Sequence, residues 1–237
     1  GNTSGSKLAE FHKKARRNEL HRRLVMGALP DKQSITAVIL AGGRGMRMGG
    51  VDKGLQLFHS MALAQHALMR LAPQVGTVII NANRNLETYE AFGIPVFSDD
   101  NALGEFAGPL AGIVTALQNC NTPYLLTVPC DAPLFPADLA ARLATALMTN
   151  NADIAVASAL ESTPAGDIFN PQPVFSLMNV NVLKSLLDYT QSGGKKVSRW
   201  MAMHSVTFVP FNKPHDKQNA FFNANTLEEL DHAQSLR

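Results

Sequence analysis

Fifteen consecutive residues, Leu40-Ala41-Gly42-Gly43-Arg44-Gly45-Met46-Arg47-Met48-Gly49-Gly50-Val51-Asp52-Lys53-Gly54, combine backbone freedom with positive charge more densely than any other stretch of the chain. The six glycines between Gly42 and Gly54 let main-chain N–H groups turn toward a ligand with no Cβ in the way. Arg44, Arg47 and Lys53 add cations, so a polyphosphate would meet oriented amides and charge together. A second chemical signal is Asp131, within Pro129-Cys130-Asp131-Ala132-Pro133. A lone carboxylate at a strand end, stiffened by flanking prolines, is the hard oxygen ligand that Mg²⁺ takes from a protein when phosphates and waters complete its shell. Such an aspartate also suits the cap of a helix beginning near Pro136, and the residues alone leave both readings open. Cys130 reads as a small buried hydrophobe, since no histidine or basic partner lies near it in sequence.

Two familiar phosphate loops are excluded. The spacing Gly43-x-Gly45-x-x-Met48 lacks the third glycine of the dinucleotide fingerprint, and no acidic residue ends the next strand. Lys53 lies between Asp52 and Gly54, so the Gly-Lys-Ser/Thr of the P-loop is absent as well.

The elements that must position these residues alternate. Ile35 to Leu40 is an apolar, β-branched run without alternation, which suits a strand buried on both faces of a parallel sheet. Met61 to Leu71 carries Leu63, Ala64, Ala67, Leu68 and Leu71 at helical spacing, and Val78-Ile79-Ile80 follows as a second buried strand. Strand, helix, strand is one parallel crossover unit, and ligands bind at the carboxyl ends of such strands. Asn81, Asn83 and Arg84 fall at that edge, where an amide offers a donor and an acceptor to a base or ribose or else closes the strand on its own backbone. Glu87 to Phe92 predicts a short helix and Ile94 to Phe97 a third strand, followed by Asp99 and Asp100, which could take a ribose hydroxyl or simply be solvated.

Gly108-Pro109 opens a helix running to Gln118, Tyr124 to Val128 forms a fourth strand, Ala137 to Met148 a helix, and Ile154 to Ala157 a fifth strand. Between Leu160 and Asn170 the apolar pattern gives way to a loop or hairpin. Pro173 to Met178 reads as a strand, Val180 to Tyr189 and Lys195 to His204 as helices, and Val206 to Phe211 as the last strand. Lys195, Lys196 and Arg199 suit either an anionic acceptor or a solvated face. Thr226 and Glu229 match a capping box opening a terminal helix behind Asn223 and Asn225.

The chain of 237 residues, 46% hydrophobic, has enough apolar content for one good core. Residues 1 to 34 are polar and then rich in Lys, Arg and His, which marks a basic extension ahead of a domain spanning 35 to 237. With a net charge of only +2, the body is not that of a nucleic-acid binder. Two cysteines make neither a disulfide framework nor a zinc cluster, which fits a reducing cytoplasm. No apolar run approaches a membrane span, and no signal peptide is recognisable.

The glycine loop ending in Met-Gly-Gly-Val-Asp-Lys-Gly, together with Val-Ile-Ile-Asn-Ala-Asn-Arg, Gly-Pro-Leu-Ala-Gly, Val-Pro-Cys-Asp-Ala-Pro and Asn-Ala-Asn-Thr-Leu-Glu-Glu-Leu, resembles the molybdenum cofactor guanylyltransferase family. All five blocks occur in that order from about Ile35 to the C-terminus. The resemblance implies a single Rossmann-like three-layer α/β/α domain with a mostly parallel sheet, of the nucleotide-diphospho-sugar transferase type. It implies transfer of GMP from GTP to the phosphate of molybdopterin, with Mg²⁺ as cofactor and pyrophosphate released. By that likeness Leu40, Ala41, Gly42, Gly43, Lys53, Asn81, Asp99 and Asp131 would hold the nucleotide, and Asp131 the metal. Arg47, Lys53 and Asp131 would act on the phosphates, with Asn223 and Asn225 beside the pterin or the metal. Cofactor-insertion and delivery proteins would be its partners. The family often carries His-Pro where this chain has Gln172-Pro173. A relative using CTP, one acting on a sugar phosphate, and a non-catalytic adaptor that delivers the cofactor are the competing readings.

Overall fold

In the computed structural model, residues 30–43, 51–99, 108–217 and 219–224 are described. A seven-stranded sheet forms the middle layer. Its strands are β1 (Ile35–Leu40), β4 (Thr77–Asn81), β5 (Val96–Phe97), β6 (Tyr124–Pro129), β7 (Ile154–Thr163), β8 (Gly166–Asn179) and β9 (Val206–Phe211), in the order β5-β4-β1-β6-β8-β7-β9. β1 pairs in parallel with β4 and β6 on either side, which explains its uninterrupted apolar sequence: both faces are covered. Only β8 runs against the rest, antiparallel to β6 and β7. A separate hairpin, β2 (Leu57–Phe58) with β3 (Met61–Ala62), precedes the first helix.

Helices cover the two faces. Under one lie α1 (Leu63–Leu71) and α4 (Leu139–Thr149), whose Ala64, Ala67, Leu71, Leu139, Leu143 and Leu147 pack with Ile35, Ile39, Ile80 and Val128. On the other lie α3 (Pro109–Gln118), α5 (Leu183–Gln191) and α6 (Val197–Met201), with Ile113, Val114, Leu186 and Trp200 against Val38, Ile79, Leu125 and Met178. Burying each Leu, Ile or Val of these layers contributes about 1.5–3 kcal/mol, so the two sandwiched cores dominate the driving force for folding. Short α2 (Leu86–Glu90) sits between β4 and β5. The three-layer expectation holds.

Several element limits differ from the sequence reading. Met61 and Ala62 pair with Leu57 and Phe58 rather than opening α1, which starts at Leu63. The third strand pairs only at Val96 and Phe97. Of the two readings of Leu160 to Asn170, loop or hairpin, the structure shows the hairpin: a paired arm that continues β7 and β8 to a turn between Thr163 and Gly166. Its side chains are mostly exposed on both faces, so no apolar alternation marks it. Lys195 to His204 yields only the five-residue α6, and Val180 to Val182 is a 3₁₀ turn ahead of α5.

Candidate active site

The carboxyl ends of β1, β4 and β6 are laced together. Ala41 N–H donates to Asn81 O at 2.8 Å and Cys130 N–H to Leu40 O at 3.1 Å, so the turns leaving three strands share one rim. Above that rim lies a cavity of about 430 Å³, a volume ordinary for a small-molecule site. Leu40, Ala41, Gly42 and Gly43 form one wall, and Lys53, Asn81, Asp131 and Asn223 stand around it. The start of α3, Gly108 and Pro109, completes another side. Gly108 has φ 111°, a backbone state few residues but glycine adopt, and Pro109 then begins the helix where no N–H is needed.

Lys53 Nζ lies 3.2 Å from Asp131 Oδ2, bringing the cation of the glycine loop to the carboxylate at the end of β6. Asp131 does not cap a helix: α4 begins after Asp138, and the Asp131 side chain turns to Lys53 instead. Its own carbonyl accepts the Ala224 N–H at 2.9 Å, which carries neighbouring Asn223 to the cavity. Cys130 is buried at the same strand end. Burial first, then the charges of Asp131 and Asp52, push its thiol well above its ordinary range, so it stays protonated and is no nucleophile.

Asn81, Asn83 and Asp99 form one network. The Asp99 carboxylate accepts from Asn81 Nδ2 at 2.7 Å and Thr115 Oγ1 at 2.9 Å on Oδ1, and from Asn83 Nδ2 at 2.8 Å on Oδ2. Asp99 is half-buried, tied to Asn81, and is not among the residues lining the cavity. Gly42 rests directly on this cluster: a Cβ there would come within 2.8 Å of Asn81 Oδ1 and 2.9 Å of Asn83 Nδ2. Neither asparagine bonds its own local backbone. Asn81 reaches Phe97 O and Asp99, and Asn83 reaches Gly42 O and Asp99.

Val174 reaches the cavity through an irregularity in β8. Partners of β7 step from Val156↔Ser176 to Ala157↔Gln172, so three residues of β8 swing out of register. The displaced Val174 carbonyl is satisfied by Thr127 Oγ1 at 2.7 Å. Gln172 itself donates to Asn170 O on the arm and does not line the cavity, nor do Lys195, Lys196 or Arg199. Arg47 and Asn225 lie outside the described residues, as do Asp100 and the Thr226–Glu229 pair.

The sequence reading passed over Asp52, Asn85, Tyr89 and Thr115. Asp52 is buried and accepts from Tyr89 Oη at 2.5 Å and Asn85 Nδ2 at 2.9 Å. The only local sign was an acidic residue inside a cationic loop, a placement a polyphosphate would disfavour unless the carboxylate faced away.

Residues 37–207 match the MobA-like NTP transferase domain. A molybdenum cofactor guanylyltransferase of Acidovorax sp. (strain JS42) is 57% identical over 208 residues, covering 87% of this chain and 98% of the relative. The chain belongs to the molybdenum cofactor guanylyltransferases. The family member of Bordetella pertussis is 52% identical over 86% of this chain and 99% of its own length. Among solved structures, molybdopterin-guanine dinucleotide biosynthesis protein A from Archaeoglobus fulgidus shares the fold at TM-score 0.67, with 19% identity over 85% of this chain and 97% of that one. The 4-diphosphocytidyl-2C-methyl-D-erythritol synthase of Anaerococcus prevotii shares it at 0.66, with 13% identity over 88% and 97%. Nucleotidyltransferases of this kind work with a divalent metal. Among the described residues no helix is long and apolar enough to cross a membrane.

Proposed function

We propose that this chain transfers GMP from GTP to the phosphate of molybdopterin, forming the guanine dinucleotide cofactor and pyrophosphate. The observation that carries the reading is the pairing of Lys53 with Asp131 at 3.2 Å on the wall of a cavity floored by the Ala41–Gly43 turn, in a chain 57% identical to a guanylyltransferase. An oxygen of the acceptor phosphate attacks the α-phosphorus of GTP in line. The new P–O bond forms as the bond to the bridging oxygen breaks, and pyrophosphate leaves with the electron pair. The acceptor is already anionic, so no general base is required and catalysis rests on alignment and charge neutralisation.

In this reading the amides of Gly42 and Gly43 and the Lys53 ammonium hold the triphosphate, with Arg47 near the phosphates, while Ala41, whose N–H is bonded to Asn81 O, shapes the wall beside them. Leu40 and Asn81 would bound the nucleoside. Asp99 would accept a ribose hydroxyl through Oδ2, the oxygen that carries one hydrogen bond in this network rather than two. Asp131 would hold Mg²⁺. Its donor fits: a hard carboxylate oxygen at the cavity wall, 11% exposed, beside a thiol that burial keeps neutral. When bound, Mg²⁺ neutralises charge on the phosphates and the departing pyrophosphate. Asn223 and Asn225 would face the pterin. The same reading places the reaction in the cytoplasm, makes residues 1 to 34 an extension outside the catalytic domain, and supplies product to insertion and delivery proteins.

The test is pyrophosphate release with GTP, CTP or ATP in turn, with and without molybdopterin. Release that needs both GTP and molybdopterin is expected. Equal release with CTP would overturn the guanine assignment, and nucleotide binding without any release would favour the adaptor.

A further inference from the structure

One segment, the connection from β4 into α2, holds both described flanks of the glycine-rich loop. Asn83 Nδ2 donates to Gly42 O at 3.3 Å, and Arg84 Nη2 donates to Gly43 O at 3.4 Å and Val51 O at 3.0 Å. The next residue, Asn85, and Tyr89 on α2 seize Asp52, through Asn85 Nδ2 at 2.9 Å and Tyr89 Oη at 2.5 Å, with Arg84 Nε 3.8 Å from the carboxylate. Asp52 is 7% exposed and Tyr89 fully buried. A carboxylate so placed is tolerated only when donors and a cation satisfy it.

Two further observations show that this arrangement is built rather than incidental. Asn85 sits in the left-handed region, at φ 52° and ψ 37°, a state unfavourable for most side chains and best borne by Asn or Asp. That backbone turn accompanies the amide contact to Asp52. Gly54, two residues past Asp52, lies directly under Tyr89, and a Cβ there would collide with the phenol. The close approach lets the hydroxyl reach Asp52.

Asp52 opens the turn that carries Lys53. Its carbonyl accepts Leu55 N–H at 3.2 Å and Gln56 Nε2 at 3.2 Å, so side chain and main chain of one residue anchor the turn from opposite ends. We propose that Asn85 and Tyr89 are positioning residues for nucleotidyl transfer, clamping Asp52 and thereby setting where Lys53 stands relative to Asp131 and the triphosphate. The inference rests on the reading that Lys53 meets the triphosphate.

Two variants test it. Tyr89→Phe removes the hydroxyl and keeps the ring. Asn85→Gly removes the amide and keeps access to the left-handed turn. Each is titrated with GTP and Mg²⁺ and assayed for kcat and KM, alone and combined with Lys53→Ala. The expected result is GTP binding weakened about tenfold in each single variant, the effect of losing one hydrogen bond to a carboxylate, with kcat changed less than KM. In the Lys53→Ala background neither change should weaken GTP binding further. Full additivity there, or unchanged GTP affinity beside a lowered Tm, overturns the clamp and assigns both residues to packing. If Lys53→Ala alone binds GTP like the unaltered protein, the phosphate role of Lys53 falls and takes the clamp with it. A loss with Lys53→Ala that neither Tyr89→Phe nor Asn85→Gly reproduces sinks the clamp only.

Discussion

Asp216 and Asp131 each meet a long cationic side chain, and the two pairs are built differently. Arg142 Nη1 contacts both oxygens of Asp216, at 2.7 and 3.0 Å, while its Nη2 donates to Pro210 O at 2.7 Å and its guanidinium lies 3.7 Å over the Phe211 ring. Lys213 N–H adds a further bond to Asp216 at 2.8 Å. Lys53 instead meets Asp131 Oδ2 at 3.2 Å on a cavity wall. A planar fork stacked on a ring is locked by its geometry, whereas an ammonium is a point charge that can turn to a new anion. The first pair ties α4 to the turn that follows β9. Under the proposed function, the second pair would exchange partners when phosphates and a metal arrive. His215 and Asp138, which lie near Asp216, gather three metal-type side chains, but Arg142 already occupies both oxygens of Asp216 there.

The contrast is open to attack. The largest effect is expected from Asp131→Asn, which should lower turnover by about 10³ or more while the melting temperature stays close to that of the unaltered protein. Retained activity would remove Asp131 from the reaction. Next, Lys53→Ala should weaken GTP binding about 10- to 100-fold by calorimetric titration, as expected for loss of a charge-assisted contact to phosphate. Arg142→Met should do the reverse: GTP affinity unchanged, stability lowered by about 3 kcal/mol in urea, because the Asp216 carboxylate is left buried without its cation. If Arg142→Met instead weakened GTP binding as much as Lys53→Ala does, the two pairs would not differ in kind. Thr115→Val, which removes one donor to Asp99, should raise the KM for GTP by a few-fold with little change in kcat.

The smallest expected signal is a pH dependence. Burial pushes the Asp216 carboxyl up, but hydrogen bonds from Arg142 and the Lys213 N–H, with the charges of Arg142 and His215, outweigh it and hold the group below its ordinary value. A carboxyl lowered in the folded state contributes stability above its unfolded pKa, near 3.9, and that contribution disappears as pH falls through the lower folded value. The stability gap between the unaltered protein and Asp216→Asn should therefore be constant above about pH 5 and shrink below about pH 4. A gap independent of pH across that range would show that the pairing is not what stabilises this corner.

What could be seen from the sequence was local. The apolar run of β1, the Gly108-Pro109 start of α3 and the Leu139, Leu143, Leu147 stripe of α4 each carry their signal within a few residues. The site was legible where residue type implies chemistry, at Lys53 and Asp131. What stayed hidden depends on partners far away in the chain. Tyr89 looks like any aromatic on a short helix until Asp52, 37 residues earlier, is placed under its hydroxyl. Thr115 looks like a helix filler until Asp99 lies 2.9 Å from it. For the outer arm of β7 and β8 the sequence left loop and hairpin open, because the arm buries little and nothing in it alternates.

The bond from Ala224 N–H to the Asp131 carbonyl has a temporal consequence. The aspartate that would receive the metal leaves the ribosome more than ninety positions ahead of the strand of chain that braces it, and β8, which must slot in beside β6, is likewise made later. A nascent chain halted after β6 would carry the glycine turn and the acid, with neither the Val174 wall nor the Asn223 side of the cavity yet synthesised. Under the proposed function, the walls of the nucleotide cavity are therefore complete only once the chain has been made through Ala224.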